Sequence, residues 1–195
     1  MTTAEDLRVG FVTGTTPDKW VRAWREQRRG ALTLVPLSED EQEDAVRRGE
    51  VDMALVRLPV ATEDLHVVRL YDERPVVVAS RDHYVAAADT VTLDDLADEQ
   101  LVRPHRSGWQ PAAGQLDWPT MTEEEAIATV AAGTGVVIVP MSVARLHHRK
   151  DVVQREVTDV PPTTVALVWL RERDDDVTQA FVGVVRGRTA RSSRG

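Results

Sequence analysis

Leu7, Val9 and Phe11 alternate with Arg8 and Gly10, the period-two pattern of a strand that buries one face, and predict a strand over 7–12. Beyond the loop Thr13-Gly14-Thr15-Thr16 the period lengthens. Trp20, Ala23, Trp24 and Gln27 recur at helical spacing behind Pro17, whose fixed φ suits a first helical position, and Gly30 closes the segment. Residues 31–37 return to a strand pattern. Two similar cassettes dominate the rest of the chain: SEDEQEDAVRRGEVDMALVRLP from Ser38 and TEEEAIATVAAGTGVVIVP from Thr122. Each opens on a capping box, Ser38 with Glu41 and Thr122 with Glu125. There the hydroxyl accepts from an amide of the first turn and the carboxylate reaches back to the cap amide. Eleven residues after each cap stands a glycine, Gly49 or Gly133, fit for the left-handed turn that ends a helix. A strand over 51–56 or 136–139 and a proline, Pro59 or Pro140, complete the unit. The repetition predicts a chain built as two similar α/β halves.

The remaining elements fill in around the cassettes. Strands are expected over 65–71 and 74–80, the second with Val76, Val77 and Val78 in succession, as in a strand buried on both faces. Residues 86–90 read as loop, Thr92 as the cap of a short helix through 97, 100–103 as strand, and 104–121 as irregular chain carrying Trp109 and Trp118. Then come a helix over 142–149, a strand over 152–157, a break at Pro161-Pro162, a strand over 165–170 and a helix over 176–186. The opening β-α-β-α-β order implies a parallel sheet flanked by helices. The chain leaves its first half after 76–80 and returns near 153–157. The expected division is therefore one lobe of 1–79 with 155–195 and a second of 80–154. Two crossings between two lobes describe a binding protein with a cleft at the crossover.

Composition narrows the function classes. The 195 residues are 42% hydrophobic and 29% charged, the balance of a globular chain with room for two cores. No apolar run reaches the length of a membrane span. The start, MTTAEDLRVG, carries acidic residues where a secretory leader carries basic ones, and cysteine is absent, so a cytoplasmic protein is expected. A net charge of −8 argues against nucleic-acid binding by this chain, because Lys and Arg contacts to phosphate dominate that affinity. The Arg-rich end (Arg186, Arg188, Arg191, Arg194) reads as a solvated tail. No G-x-S-x-G elbow, Walker-type loop or H-E-x-x-H occurs. His147 and His148, adjacent on a helix, point about 100° apart and make a poor metal pair. Neither metal nor cofactor is expected.

The order of these segments resembles the effector-binding (substrate-binding) domain of LysR-type transcriptional regulators. The resemblance is carried by LRVGFV, the cassette from Ser38, RPVVVASRDHYVA, VTLDDLADEQLV, the cassette from Thr122 with its adjoining MSVA, and VALVWL. These segments run from Leu7 to about Phe181 in the family's order. It implies a type II periplasmic-binding-protein-like α/β fold, two Rossmann-like lobes joined by two crossover segments, with a small effector in the cleft and side-by-side homodimers. It also exposes a departure: only six residues precede the first strand, so the winged helix-turn-helix of the family is missing from this sequence. The expected function is a non-enzymatic sensor of a small organic anion. The alternatives are a stand-alone partner or decoy of a full-length regulator and a small lyase on the same fold.

Candidate effector-binding residues lie at strand ends and helix starts. The loop Thr13, Gly14, Thr15, Thr16 precedes a helix, whose free amides and dipole favour an anion. Ser38 and Thr122 open the cassette helices, and in the resembled family Ser or Thr at matching positions commonly contacts the effector. Arg57, with Leu58 and Pro59, comes after the third strand, and His105-Arg106 after the strand expected over 100–103, where open α/β sheets form their ligand crevice. Pro140 closes the second cassette. Structural readings stand beside these: the hydroxyls as plain caps, Arg57 as the partner of an acid such as Glu63, Trp109 and Trp118 as core cover. Trp20 and Trp24 fit either burial on their own sheet or a dimer face. As a ligand residue, Arg57 should be removable with loss of anion affinity and no loss of fold.

Overall fold

The computed structural model describes residues 6–27 and 30–187. In chain order the elements are β1 (Leu7–Val12), α1 (Asp18–Gln27), β2 (Leu32–Leu37), α2 (Gln42–Arg47), β3 (Met53–Arg57), β4 (Leu65–Glu73), β5 (Pro75–Ser80) and β6 (Thr90–Val91). Then come α3 (Glu123–Ala131), β7 (Val137–Pro140), α4 (Met141–Leu146), β8 (Val152–Val157), β9 (Thr163–Leu170) and α5 (Asp176–Val185). Of the Arg-rich end, Arg186 is exposed past α5, and Arg188, Arg191 and Arg194 lie outside the described residues.

The chain forms two compact units, Met1–Tyr71 with Thr164–Gly195, and Asp72–Thr163. The division expected at 79/80 and 154/155 is thus displaced. β5 pairs antiparallel with β8 and with β7, so hydrogen bonding keeps all three strands in the second unit.

In the first unit the strand order is β2-β1-β3-β9-β4. β1 pairs parallel with β2 and β3, as the βαβαβ order requires, and β9 enters antiparallel beside β3. All five residues of β3 are buried because both faces of the sheet are covered. Met53 and Leu55 point to a cluster with Trp20, Trp24 and Phe181, while Ala54 and Val56 point to one with Ala45 and Val46 of α2. Trp20 and Trp24 therefore face their own core, Trp24 edge-on to Phe181 with ring centroids 5.7 Å apart.

The second unit has the order β6-β8-β5-β7. The valine run of β5 divides between two clusters, as period two demands. Val76 and Val78 pack with Ala126, Ile127 and Val130 of α3, while Val77 and Ala79 pack with Val85, Leu96 and Leu101. Trp118 covers the first cluster and Trp109 the second. The expected strand over 100–103 is reduced to one bridge, Leu101 to Val136. The loop expected over 86–90 carries part of a 3-10 turn, Tyr84–Ala87, and the start of β6. The helix expected over 142–149 ends at Leu146, so His147 and His148 lie beyond it.

Candidate functional site

β1, β2 and β3 run parallel, so the segments after Val12, Leu37 and Arg57 emerge at one end of the first unit's sheet. That places the 13–16 loop, the turn at 38–41 and residues 57–59 together, and side chains bind them there. The Arg57 side chain is fully buried. Its Nη2 donates to the Thr13 carbonyl at 2.7 Å and its Nη1 to Glu39 Oε1 at 3.0 Å. Its backbone is clamped by buried Gln42, whose Oε1 accepts from the Arg57 amide at 2.8 Å while its Nε2 donates to the Arg57 carbonyl at 3.0 Å. One guanidinium thus joins the β1–α1 loop, the turn before α2 and the end of β3.

This corrects two expectations. The acid paired with Arg57 through this bond is Glu39, held three residues ahead of α2, rather than Glu63. Arg57 is also a structural member of the site, because removing a buried partner leaves the other charge uncompensated. Its loss with the fold intact is no longer expected. Glu39 and Gln42 escaped sequence reasoning. The available signal was Gln42 standing three and four residues before Ala45 and Val46, on the buried face of α2.

The hydroxyls are engaged locally. Thr15 is buried and donates through Oγ1 to the Val12 carbonyl at 2.7 Å, tightening the loop in which Gly14 takes a φ of 87°. Thr13 is half-buried and Thr16 exposed. Pro17 accepts from the Trp20 and Val21 amides. The amides just ahead of those open α1, where no helical carbonyl can reach them. Ser38 and Glu41 exchange the expected bonds, with Ser38 Oγ donating to Glu41 Oε2 at 2.7 Å, but regular helix begins only at Gln42. The Ser38 hydroxyl and then its amide hold the Glu41 carboxyl below the usual carboxylate range. Leu58 is half-buried and Pro59 exposed.

The other candidates belong to the second unit. His105 Nδ1 bonds Ser107 Oγ at 2.8 Å, and Arg106 is exposed on irregular chain rather than at a strand end. Pro140 ends β7 and stands directly before α4. Thr122 completes a full capping box at α3, its amide and then its hydroxyl lowering the pKa of Glu125. Thr122→Ala is expected to destabilise the protein by about 1 kcal/mol. In thermal unfolding that is a fall of about 2–4 °C at this chain length. No fall would mean that α3 does not depend on its cap. Among the described residues no group of three or more His, Cys, Asp or Glu could hold a metal ion.

The first unit's strand ends are thus tied together by one arginine, and known proteins share the fold that carries them. Over 172 residues the chain is 26% identical to the Hca operon transcriptional activator HcaR of Escherichia coli (strain K12), covering 82% of this chain and 58% of that protein. The chain therefore spans less than two thirds of that relative's length. The fold matches the BenM effector binding domain with its effector benzoate at a TM-score of 0.76 and 18% identity, over 97% of this chain and 94% of that one. It matches the reduced OxyR regulatory domain from Pseudomonas aeruginosa at 0.74 and 21%, over 95% and 96%. These likenesses establish a two-lobed, type II periplasmic-binding-protein-like α/β fold. The description "LysR substrate binding domain" fits residues 3–190, nearly the whole sequence. The chain belongs to the LysR substrate-binding domain family.

Proposed function

We propose that this chain is a non-enzymatic sensor domain that binds a small organic carboxylate at the carboxyl ends of β1, β2 and β3. The observation that carries this reading is the convergence of three strand-end segments on one buried guanidinium. Such segments form the ligand crevice of open parallel sheets, and the opening amides of α1 supply anion-seeking donors there. Thr13, Gly14, Thr15, Thr16, Ser38, Leu58 and Pro59 form this first-unit site, with Arg57 holding their backbones in register. Benzoate, the effector named for the BenM domain, is a carboxylate of suitable size to test. Transcriptional control is the role named for HcaR, and in this reading the chain supplies the sensing step. The ligand acts by binding one of two states more tightly. A cytoplasmic homodimer is the proposed working form.

Thermal-shift screening with benzoate and a panel of small carboxylates tests the reading. A ligand at about 100 times its Kd adds about 2.7 kcal/mol of stability. At about 2–4 °C per kcal/mol, a true effector raises Tm by about 5–10 °C. A saturable rise with a carboxylate, absent with its neutral amide, supports the sensor. A flat panel from folded protein would shift the role to protein–protein interaction.

A further inference from the structure

We infer that the second unit carries a separate binding groove for a phosphate monoester, lined by Arg81, Arg149 and Lys150. It is independent of the carboxylate site in the first unit and goes beyond it. The groove holds about 630 Å³ where β5 ends, β8 begins and α3 stops at Ala131. That volume lies within the range of small-molecule sites, roughly 300–1,000 Å³. Its walls are fixed by main chain. Ser80 pairs with Val152 at the end of β5, and just beyond it the Arg81 amide donates to the Asp151 carbonyl at 2.9 Å. Three cationic side chains line it with two carboxylates, Asp82 and Asp151, in a chain whose net charge is −8. The carboxyl end of a helix favours cations, and the end of α3 at this wall accounts for their gathering here.

What sets these cations apart is that their donors are left over. Arg149 lays Nε and Nη2 on the Asp151 carboxylate at 2.9 and 2.7 Å, which fixes the guanidinium plane and leaves Nη1 without a partner among the described residues. The Arg81 and Lys150 side chains are exposed and make no hydrogen bond among the described residues. Arg149 first, with Arg81 adding to it, holds the Asp151 carboxyl below the usual carboxylate range, so Asp151 stays ionised as the fixed partner. Beside Asp52 in the first unit the opposite holds: Arg8 and Arg173 both bond that carboxylate, and Arg8 also donates to the Gly49 and Glu50 carbonyls. A phosphate dianion accepts from several cations at once, and Arg offers it a planar fork. Asp82, whose amide donates to Ser80 Oγ at 3.5 Å, supplies an acceptor for a ligand hydroxyl. A phosphate on a hydroxylated carbon frame therefore suits the groove. An apolar acid does not, since Ala131 is the one apolar side chain lining it among the described residues.

The test is calorimetric titration of the full chain with glucose 6-phosphate at constant ionic strength, because salt screens exposed charges. Saturable binding is expected, undisturbed by excess benzoate. Arg81→Gln with Lys150→Gln removes two open cations and spares the Arg149–Asp151 pair. It should weaken binding by about tenfold or more, the worth of hydrogen bonds to charged groups. Arg22→Gln with Arg25→Gln removes equal charge from the exposed face of α1 and should leave the affinity within about twofold, as screening of distant charges requires. Both double variants change exposed side chains only, so each should melt as the wild type does. Inorganic phosphate and unphosphorylated glucose should each bind more weakly than the ester. Absence of saturable binding overturns the inference. Equal weakening in the two double variants does so too, since attraction to net charge alone then explains the binding. Displacement by benzoate assigns both ligands to one site and overturns the separate groove. Inorganic phosphate binding as tightly as the ester overturns the monoester assignment. The first-unit reading stands or falls separately, on the benzoate thermal shift.

Discussion

Arg57→Met is expected to lower the stability of the first unit by about 3–5 kcal/mol, the range for breaking a buried ion pair by removing one partner. Methionine fills much of the volume of the arginine stem, so the loss is chiefly electrostatic and polar. The Thr13 carbonyl loses its 2.7 Å donor and Glu39 its 3.0 Å partner, in a site with little water to replace either. Glu39 retains some solvent contact, which favours the lower end of the range. Denaturant unfolding followed by tryptophan fluorescence reports on this unit through Trp20, Trp24 and Trp169 in its core, beside the signal of Trp109 and Trp118 from the second unit. A companion double variant, Arg57→Met with Glu39→Gln, should recover part of the loss because the carboxylate that faced the arginine is removed with it. A single-variant loss below about 1 kcal/mol, the value of an ordinary surface pair, would show that the Arg57 network is ornamental to the fold.

Gly135→Ala is the second large effect, expected to cost about 2–4 kcal/mol from strain and overpacking combined. A β-carbon at Gly135 would stand 2.2 Å from the Gln100 carbonyl oxygen and 2.8 Å from Gln100 Cβ, on a backbone with φ of +73°. The neighbour that must yield is main chain. Its retreat would break the bond from the Val136 amide to the Gln100 carbonyl, 2.8 Å, and the return bond from Val102 to the Val136 carbonyl, 3.1 Å. Gln100 also fixes the 114–116 segment, donating to the Gly114 carbonyl and accepting from the Leu116 amide. Gly133→Ala is the built-in control: its φ is +87° but nothing lies within 4 Å of the added carbon. It should therefore cost only the left-handed penalty of about 1–2 kcal/mol. Equal losses in the two variants, read from denaturant midpoints at constant slope, would remove the close approach to Gln100 as the cause.

Much of the architecture was legible because local chemistry and global structure agree. The alternation at 7–12 gives β1, the Thr122 box and left-handed Gly133 bracket α3, and the valine run of β5 is buried on both faces. The Ser38 box was half legible: its bonds form, but 39–41 is spent in a turn, and so α2 starts late. At α5 a signal was present and passed over, since Asp175 and Thr178 make a reciprocal box. The remainder depends on pairings between distant positions. Whether Arg57 meets Glu39 or Glu63 is decided by how the turn before α2 folds over β3, which no spacing rule encodes. The boundary between units failed for the same reason. A strand such as β5 carries the same apolar pattern whichever sheet it joins, and only its partners β7 and β8 assign it.

The insertion of β9 between β3 and β4 has a consequence for how the chain is made. A ribosome delivers residues in order, so β4 emerges long before the sheet neighbour it must pair with, since β4 ends at Glu73 and β9 begins at Thr163. The second unit is continuous from Asp72 to Thr163 and can close as soon as it clears the exit tunnel. The first unit must hold β1, β2 and β3 as an unfinished three-stranded edge until β9 arrives. Released chains truncated just after Thr163 should therefore protect the second unit from protease while leaving the first open to it, since long-range strand pairing is the slow step.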